Sequence, residues 1–399
     1  MLHSYAFSNF RSFLERVEVS FALTEKDAVI GWDRASPVTG QRLTTAMAVL
    51  GGNASGKTSL LQPLAFLAWF IRFSFAAPPD APVPIEPHFR GGDLPTEFEV
   101  IADALEPETL FRYRLSVGAG TVHTESLETK LRRGQWQAVF RRERAKEGKY
   151  SVIQDQFGLD QAQAESVRPN VSLISWAAQF AVPLAQRLAG FPFATNMFRG
   201  GRWWQPHHEA IQRCTDFYAH NPAARERMAN FLKLWDLGIS DVALHEVEIA
   251  DQKTGEKKKQ WFGVGVHRDA NDRIHSLPLV QESSGTQSAF ELLAAFLPVL
   301  ESGGVVAWDE LESDLHPHLL QALLEMFADN DTNPHRAQII FTCHAVEILR
   351  LLQKPQIMLV EKDGLDSHAW RLDSVEGVRS DDNRVAKYLA GSYGGVPRL

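Results

Sequence analysis

Cysteine is nearly missing from this chain: only Cys214 and Cys343 occur among 399 residues. Two distant thiols cannot build a disulfide framework or a cysteine-rich zinc site, and their scarcity fits a reducing cytoplasm. The opening Met1-Leu2-His3-Ser4-Tyr5 lacks the basic-then-apolar layout of a signal peptide. Uninterrupted membrane-length apolar runs are also lacking. The longest candidate, Leu60 to Ala77, is broken by Gln62, Pro63 and Arg72 and reads as a buried helix, so no membrane partner is expected. Positive charge is in deficit: 41 Lys and Arg face 49 Asp and Glu, a net charge of −8, which argues against a generally basic nucleic-acid binder. Internal repeats and low-complexity tracts are absent, and the absence of long heptad arms argues against a long coiled-coil machine. What remains is a cytoplasmic globular protein, 44% hydrophobic and 23% charged, long enough for two or three domains.

The most informative stretch is Gly51-Gly52-Asn53-Ala54-Ser55-Gly56-Lys57-Thr58, a complete G-x-x-x-x-G-K-[ST] phosphate loop. Ala46 to Leu50 upstream reads as a buried strand, and Ser59-Leu60-Leu61 downstream opens a helix; that context separates a working loop from a chance match. Glycines let the backbone turn its N–H groups toward phosphate, and the helix N-terminus adds positive potential. Lys57 is expected to reach the β- and γ-phosphates of ATP, and Thr58 to offer its hydroxyl to Mg²⁺.

Residues 1–50 read as strands, including Asn9-Phe10-Arg11-Ser12-Phe13 and the alternating Val17 to Phe21. Residues 96–127 alternate again and predict a three-strand antiparallel meander. The stretch 130–149 holds eight Lys or Arg against two Glu, and a hairpin turning at Gly134 would set several of them along one edge. A solvated hairpin is the plainer expectation there; contact with DNA, RNA or an acidic partner is the other. From about 160 to 238 the pattern turns helical. Trp203-Trp204 and His207-His208 suggest a packed loop, because no carboxylate or cysteine stands at a metal-ligand spacing. Residues 242–266 predict a hairpin turning at Lys253 to Glu256.

Gln281-Glu282-Ser283-Ser284-Gly285-Thr286-Gln287 is a small-polar turn before a helix, a second place where backbone N–H groups can hold phosphate. Gly303-Gly304 ends that helix. Val305 to Trp308 then reads as a buried strand closing in Asp309 and Glu310. Two acids at the tip of an apolar strand need a cation. Mg²⁺ shared with Thr58 would meet Asp309, leaving Glu310 to polarise an attacking water as general base. Gln338 to Cys343 is another apolar strand, ending at His344, which suits contact with a γ-phosphate or that water.

This ordered set resembles the ATP-binding-cassette class of P-loop ATPases. GGNASGKT looks like its Walker A, SSGTQ like a variant of its LSGGQ signature, VVAWDE like its Walker B with catalytic glutamate, and His344 like its switch histidine. Leu311 to Pro317 occupies the place of the D-loop; no glutamine is assigned to the Q-loop. Asn9 to Phe13 is similar to the opening of the soluble RecF, SMC and OLD-type branch. DELESDLHP and Tyr388 to Pro397 are similar to AAA-type ATPases of bacterial defence loci, among them the RloA, AbiEii-associated and PtuA-like groups. Ala54 departs from a glycine frequent in the SMC-type loop, and Thr286 from the second glycine of LSGGQ. Only 55 residues follow His344, too few for the Toprim nuclease of OLD proteins.

The resemblance implies an α/β fold: an ATPase head of mixed β-sheet with flanking helices, formed by 1–130 and 270–399, with 131–269 as an inserted mixed β and helical subdomain. It implies ATP and Mg²⁺ held by Gly51 to Ser59, with Thr58 and Asp309 on the metal and Lys57, Glu310 and His344 in catalysis. It also implies a head-to-head dimer or higher homo-oligomer in which Ser284, Gly285 and Thr286 act on the partner's nucleotide, coupled to a separately encoded effector such as a nuclease. A RecF-like ATPase binding DNA directly is the alternative. A small-molecule kinase or transferase fits less well, because about 250 residues and a signature stretch separate Thr58 from Asp309.

Overall fold

The computed structural model describes residues 1–399 apart from 28, 30, 104–108, 132–133, 146–147, 199–200, 203–206, 251–256, 314, 380 and 397–399. Strands β1 (Leu2–Ser8) and β2 (Val17–Ser20) pair antiparallel. Asn9 to Phe13, expected as strand, is instead the start of the turn between them. Asn9 and Arg11 take left-handed backbone at φ 49° and 51°, and Phe10 bridges back to Phe13. Asparagine tolerates that conformation, and here its side chain also braces a distant loop, accepting from His88 N and donating to Leu94 O. β3 (Asp33–Ala35) and β4 (Arg42–Thr44) form a small hairpin. β5 (Ala46–Gly51) is buried throughout, as an unbroken apolar run at a sheet centre must be, and leads through the phosphate loop into α1 (Lys57–Phe73).

β6 (Thr96–Asp103), β7 (Thr109–Gly118) and β8 (Thr121–Leu131) form the expected meander. β9 (Gln137–Arg144) and β10 (Tyr150–Gln154) extend it into one antiparallel sheet of order β10-β9-β8-β7-β6-β1-β2, which runs straight across residue 130. The basic stretch on β9 is not a continuous edge. Arg142 is fully buried on Glu125, Arg141 pairs with Glu143, and Lys130 lies near the Trp136 ring. Arg132, Arg133 and Lys146 fall outside the described residues.

Three short helices follow, α2 (Gln161–Ser166), α3 (Leu173–Gln179) and α4 (Pro183–Ala189), then β11 (Phe193–Thr195) and the two-residue strands β12 (Met197–Phe198) and β13 (Gly201–Arg202). His207-His208 opens α5 (His207–His220) and is not a loop; Trp203 and Trp204 lie outside the described residues. After α6 (Pro222–Leu234), the expected hairpin is present as β14 (Asp241–Ala250) and β15 (Lys257–Arg268), with β16 (Ile274–Pro278) added; its turn at 253–256 is outside the described residues. α7 (Ser284–Ser302), β17 (Val305–Trp308), α8 (Pro317–Ala328), β18 (Gln338–Thr342), α9 (Ile348–Leu351), β19 (Ile357–Asp363), β20 (Asp366–Arg371) and α10 (Arg384–Leu389) complete the chain.

The second main sheet has the order β11-β17-β18-β5-β19-β20 and is parallel except for β20. Its first strand comes from within 131–269, so that stretch supplies part of the sheet itself. Met47 and Val49 of β5 face a core shared with α1 and the antiparallel sheet, while Ala46, Ala48 and Leu50 face one shared with α7 and α8. Lys57–Ala76 is the one helix among the described residues long and apolar enough to cross a membrane by length and composition, and more than half of it is buried inside the fold. In a parallel sheet the carboxyl ends of neighbouring strands open on one edge. β5, β18 and β17 are consecutive neighbours, which brings the phosphate loop, His344 and Asp309 to that edge.

Candidate functional site

The loop after β5 needs its glycines for space. A Cβ on Gly51 would stand 2.3 Å from Val360 O, and one on Gly56 would stand 2.5 Å from Ser367 Oγ and 2.9 Å from Ser12 Oγ. Gly56 also sits at φ 108° and begins α1. Ala54 holds left-handed backbone at φ 60°, a conformation that costs an L-residue about 1–2 kcal/mol. Lys57 folds back on its own loop, donating from Nζ to Gly51 O at 3.0 Å and Gly52 O at 2.9 Å. Burial pulls its ammonium below the ordinary lysine range, and Asp309, Glu310, Glu312 and Cys343 oppose that shift. A cation held by neutral carbonyls in a partly dry loop gains most when an anion arrives.

Asp309 is the hub. Only 4% exposed, it receives the Thr58 hydroxyl at 3.0 Å on each carboxylate oxygen and the Thr342 hydroxyl at 2.7 Å. Thr342 Oγ1 in turn accepts from Glu310 N at 2.7 Å, so one side chain at the end of β18 sets both acids. Asn196 grips the same residue by its backbone: Nδ2 donates to Asp309 O and Oδ1 accepts from Asp309 N, both at 2.8 Å. Glu310 adopts φ 51°, the kind of strained backbone that surrounding structure must hold in place. His344 N donates to Glu312 Oε1 at 2.5 Å, which ties the histidine to the segment after β17.

A polar cavity of about 550 Å³ opens here, lined by Asn53 to Ser59, Asp309, Glu310, Thr342 and His344, with Ser12 and Lys362 beside them. The expected loop, acid and histidine residues therefore share one space, with Gly51 and Gly52 joined to it through the carbonyls that hold Lys57. Ser284, Gly285 and Thr286 do not line that cavity. They begin α7, where Ser283 accepts from Thr286 N at 3.2 Å and meets its hydroxyl at 2.9 Å; Ser284 is exposed while Thr286 is buried. Gln287 Nε2 donates to Leu279 O and Glu282 O and so pins the turn before the helix.

Sequence reasoning missed Ser12, Asn196, Thr342 and Lys362. Thr342 stood in plain view at the end of an apolar strand, the same signal that singled out Asp309. Asn196 had none, since its role arises only when β11 docks beside β17. The donor set suits Mg²⁺: a hydroxyl and one carboxylate, leaving a hard cation to fill its shell with phosphate oxygens and water. Among the described residues no group of three or more His, Cys, Asp or Glu forms a closed metal cage.

The solved structures to which the chain is similar include three SMC heads. One is an SmcHead bound to the C-winged helix domain of ScpA, at 12% identity and TM-score 0.45, covering 93% of this chain and 97% of that one. Another is the SMC head domain from Thermotoga maritima, at 13% identity and TM-score 0.43, covering 93% and 98%. The third is an Smc head domain with an extended coiled coil bound to the C-terminal domain of ScpA, derived from Pyrococcus furiosus, at 10% identity and TM-score 0.41, covering 93% and 96%. No curated protein matches. A family model does match, over residues 46–350, from the buried strand before the phosphate loop to the helix beyond His344, and the chain belongs to that family, described as "AAA domain, putative AbiEii toxin, Type IV TA system".

Proposed function

We propose that this protein is an ATPase that binds ATP with Mg²⁺ in the cavity at the end of β5 and hydrolyses it slowly, as the switch of a bacterial anti-phage defence or toxin-type complex. The observation that carries this reading is the linked set Thr58–Asp309–Thr342–Glu310, which shares one cavity with Lys57 and His344. Lys57 exchanges the Gly51 and Gly52 carbonyls for β- and γ-phosphate oxygens, and the loop N–H groups hold the rest of the triphosphate. Mg²⁺, when bound through Thr58 and Asp309, supplies neutralisation of phosphate charge. Glu310, which lines the cavity, takes the proton of the attacking water. His344 steadies the water or the γ-phosphate.

The turn Ser284-Gly285-Thr286 lies away from this cavity in its own chain. Two chains head to head, each offering that turn to the other's nucleotide, give it a role. ATP binding then closes the dimer, hydrolysis opens it, and the change is passed to a separately encoded effector. The head comprises residues 1–130 and 270–399, completed by β11 and Asn196 from the intervening stretch. Direct DNA binding through 130–149 is the weaker reading, because Arg142 is buried and Arg141 is paired. Lys57→Ala is expected to abolish ATP binding, and Glu310→Gln to bind ATP and accumulate as a dimer by light scattering. Turnover by Glu310→Gln at the wild-type rate would remove the base assignment. A native-locus pull-down with Glu310→Gln tests the rest: a stoichiometric protein partner supports an effector, and recovery of DNA alone overturns it.

A further inference from the structure

A second cavity, of about 360 Å³, lies along α1 between Gln62 and Phe73, and its chemistry is different. Its walls include the rings of Phe10, Phe66, Trp69 and Phe193, together with Met197 and Thr195. Gln62 lines it too. That side chain is 2% exposed, and among the described residues neither its Oε1 nor its Nε2 has a hydrogen-bond partner. A buried amide without partners is costly, and apolar walls give a water too few further contacts to compensate. The volume falls at the lower end of small-molecule sites, about 300–1,000 Å³.

We propose that this cavity is a binding site for a neutral, flat ligand with a hydrogen-bond donor beside an acceptor, the edge that a nucleobase presents. A glutamine amide pairs with such an edge through two parallel bonds, as it does with adenine N6 and N7. The surrounding rings supply the stacking faces. The nearby cations are already committed. Arg11 pairs with Glu86 at 3.1 Å, and Arg72 donates from Nε to Ala189 O and from Nη2 to Phe191 O. Glu86 lines the cavity as well, and its carboxylate opposes a phosphate, so the site favours a base or nucleoside over a nucleotide. Its occupant would also report to the ATPase centre. Thr195 and Met197 line the cavity, and Asn196 between them holds both backbone groups of Asp309. Filling the cavity steadies that segment and so the acid that faces Thr58.

The test is calorimetric titration of adenine, then hypoxanthine and uracil, into the full-length protein with and without a saturating non-hydrolysable ATP analogue and Mg²⁺. One base is expected to bind once per chain under both conditions. Gln62→Leu, which removes the orphaned amide, should weaken binding at least tenfold while raising the thermal midpoint; Gln62→Met gives the same readout should the leucine variant fold poorly. Saturable binding unchanged in both variants overturns the proposal, as does no saturable binding of any base. Binding that vanishes when the ATP analogue is present also overturns it, because the base then occupies the nucleotide site. Failure of the analogue to bind would count against the ATPase reading alone.

Discussion

Glu125→Ala is the perturbation whose size the structure defines best. Glu125 and Arg142 are both fully buried, with Arg142 Nη1 3.4 Å from Glu125 Oε2. The carboxylate also accepts from Tyr113 OH at 2.9 Å, Ser172 Oγ at 2.6 Å and Leu173 N at 2.9 Å, so it joins the antiparallel sheet to the first turn of α3. Removing one partner of a buried ion pair costs about 3–5 kcal/mol, because the other charge stays in a dry site. Arg142 keeps Val171 O, Val167 O and Arg168 O as acceptors and the Tyr150 ring 3.8 Å away. Those contacts soften the loss and place the expectation near the lower end, about 3 kcal/mol. Glu125→Leu with Arg142→Leu leaves no unpaired charge but strips three donors and three carbonyls of their partner, so it should recover little of that loss. Urea unfolding followed by tryptophan emission reads this out, with Trp176 on α3 next to the affected turn. A loss below about 1 kcal/mol for Glu125→Ala would show that water reaches the pair and that its burial has been overvalued.

Gly56→Ala should abolish ATP binding while leaving the far-UV dichroism intact, since a Cβ there meets the Ser12 and Ser367 hydroxyls at strained backbone; a variant with wild-type affinity would mean the loop relaxes freely. Asn196→Ala leaves the Asp309 N–H and C=O without their side-chain partner and should raise the Mg²⁺ concentration needed for half-maximal turnover several-fold, with ATP affinity little changed. Thr342→Val cuts bonds to both Asp309 and Glu310 and should lower turnover at least tenfold, measured by phosphate release. His267 meets Glu282 Oε1 at 2.8 Å and faces Gly238 O, and these raise its pKa above the ordinary histidine value, the Glu282 bond most of all. A raised pKa means that the protonated form stabilises the fold fully below about pH 6.5 and that this contribution fades as pH climbs through the raised value. Amide exchange at 283–286, corrected for its intrinsic rate, should therefore quicken as pH rises above about 6.5; a flat profile would refute the coupling.

What could be read from sequence was whatever depends on neighbours along the chain. The phosphate loop is eight adjacent residues whose spacing is its chemistry, and Asp309-Glu310 follows from an apolar strand that ends in acid. The three-strand meander was visible because alternation at period two is local. Asn196 was not visible, since its task comes from β11 lying parallel to β17 with Thr195 opposite Ala307, a pairing across more than a hundred residues. Asn9 to Phe13 misled for the opposite reason: its apolar rings suggest strand, but two left-handed residues turn it, and the loop it braces lies some eighty residues on.

Arg142 is the most instructive miss, because the signal was present and outweighed. Within a run of eight basic residues it looked like one more solvated charge. Alternation along β9 places it on the same side as Phe140, which is wholly buried, while Arg141 and Glu143 point outward. Period two therefore assigned Arg142 to the core, and charge density argued against it. Burial of an arginine requires a carboxylate and carbonyls to meet it, and Glu125 lies on the adjoining strand directly opposite. A charged residue two positions from a core aromatic, facing an opposite charge in the neighbouring strand's register, is better read as an internal brace than as part of a docking surface. The test of that reading is specific: Arg142→Leu should destabilise the fold without changing the salt dependence of any DNA binding, whereas a surface contact would lower that slope by about one unit.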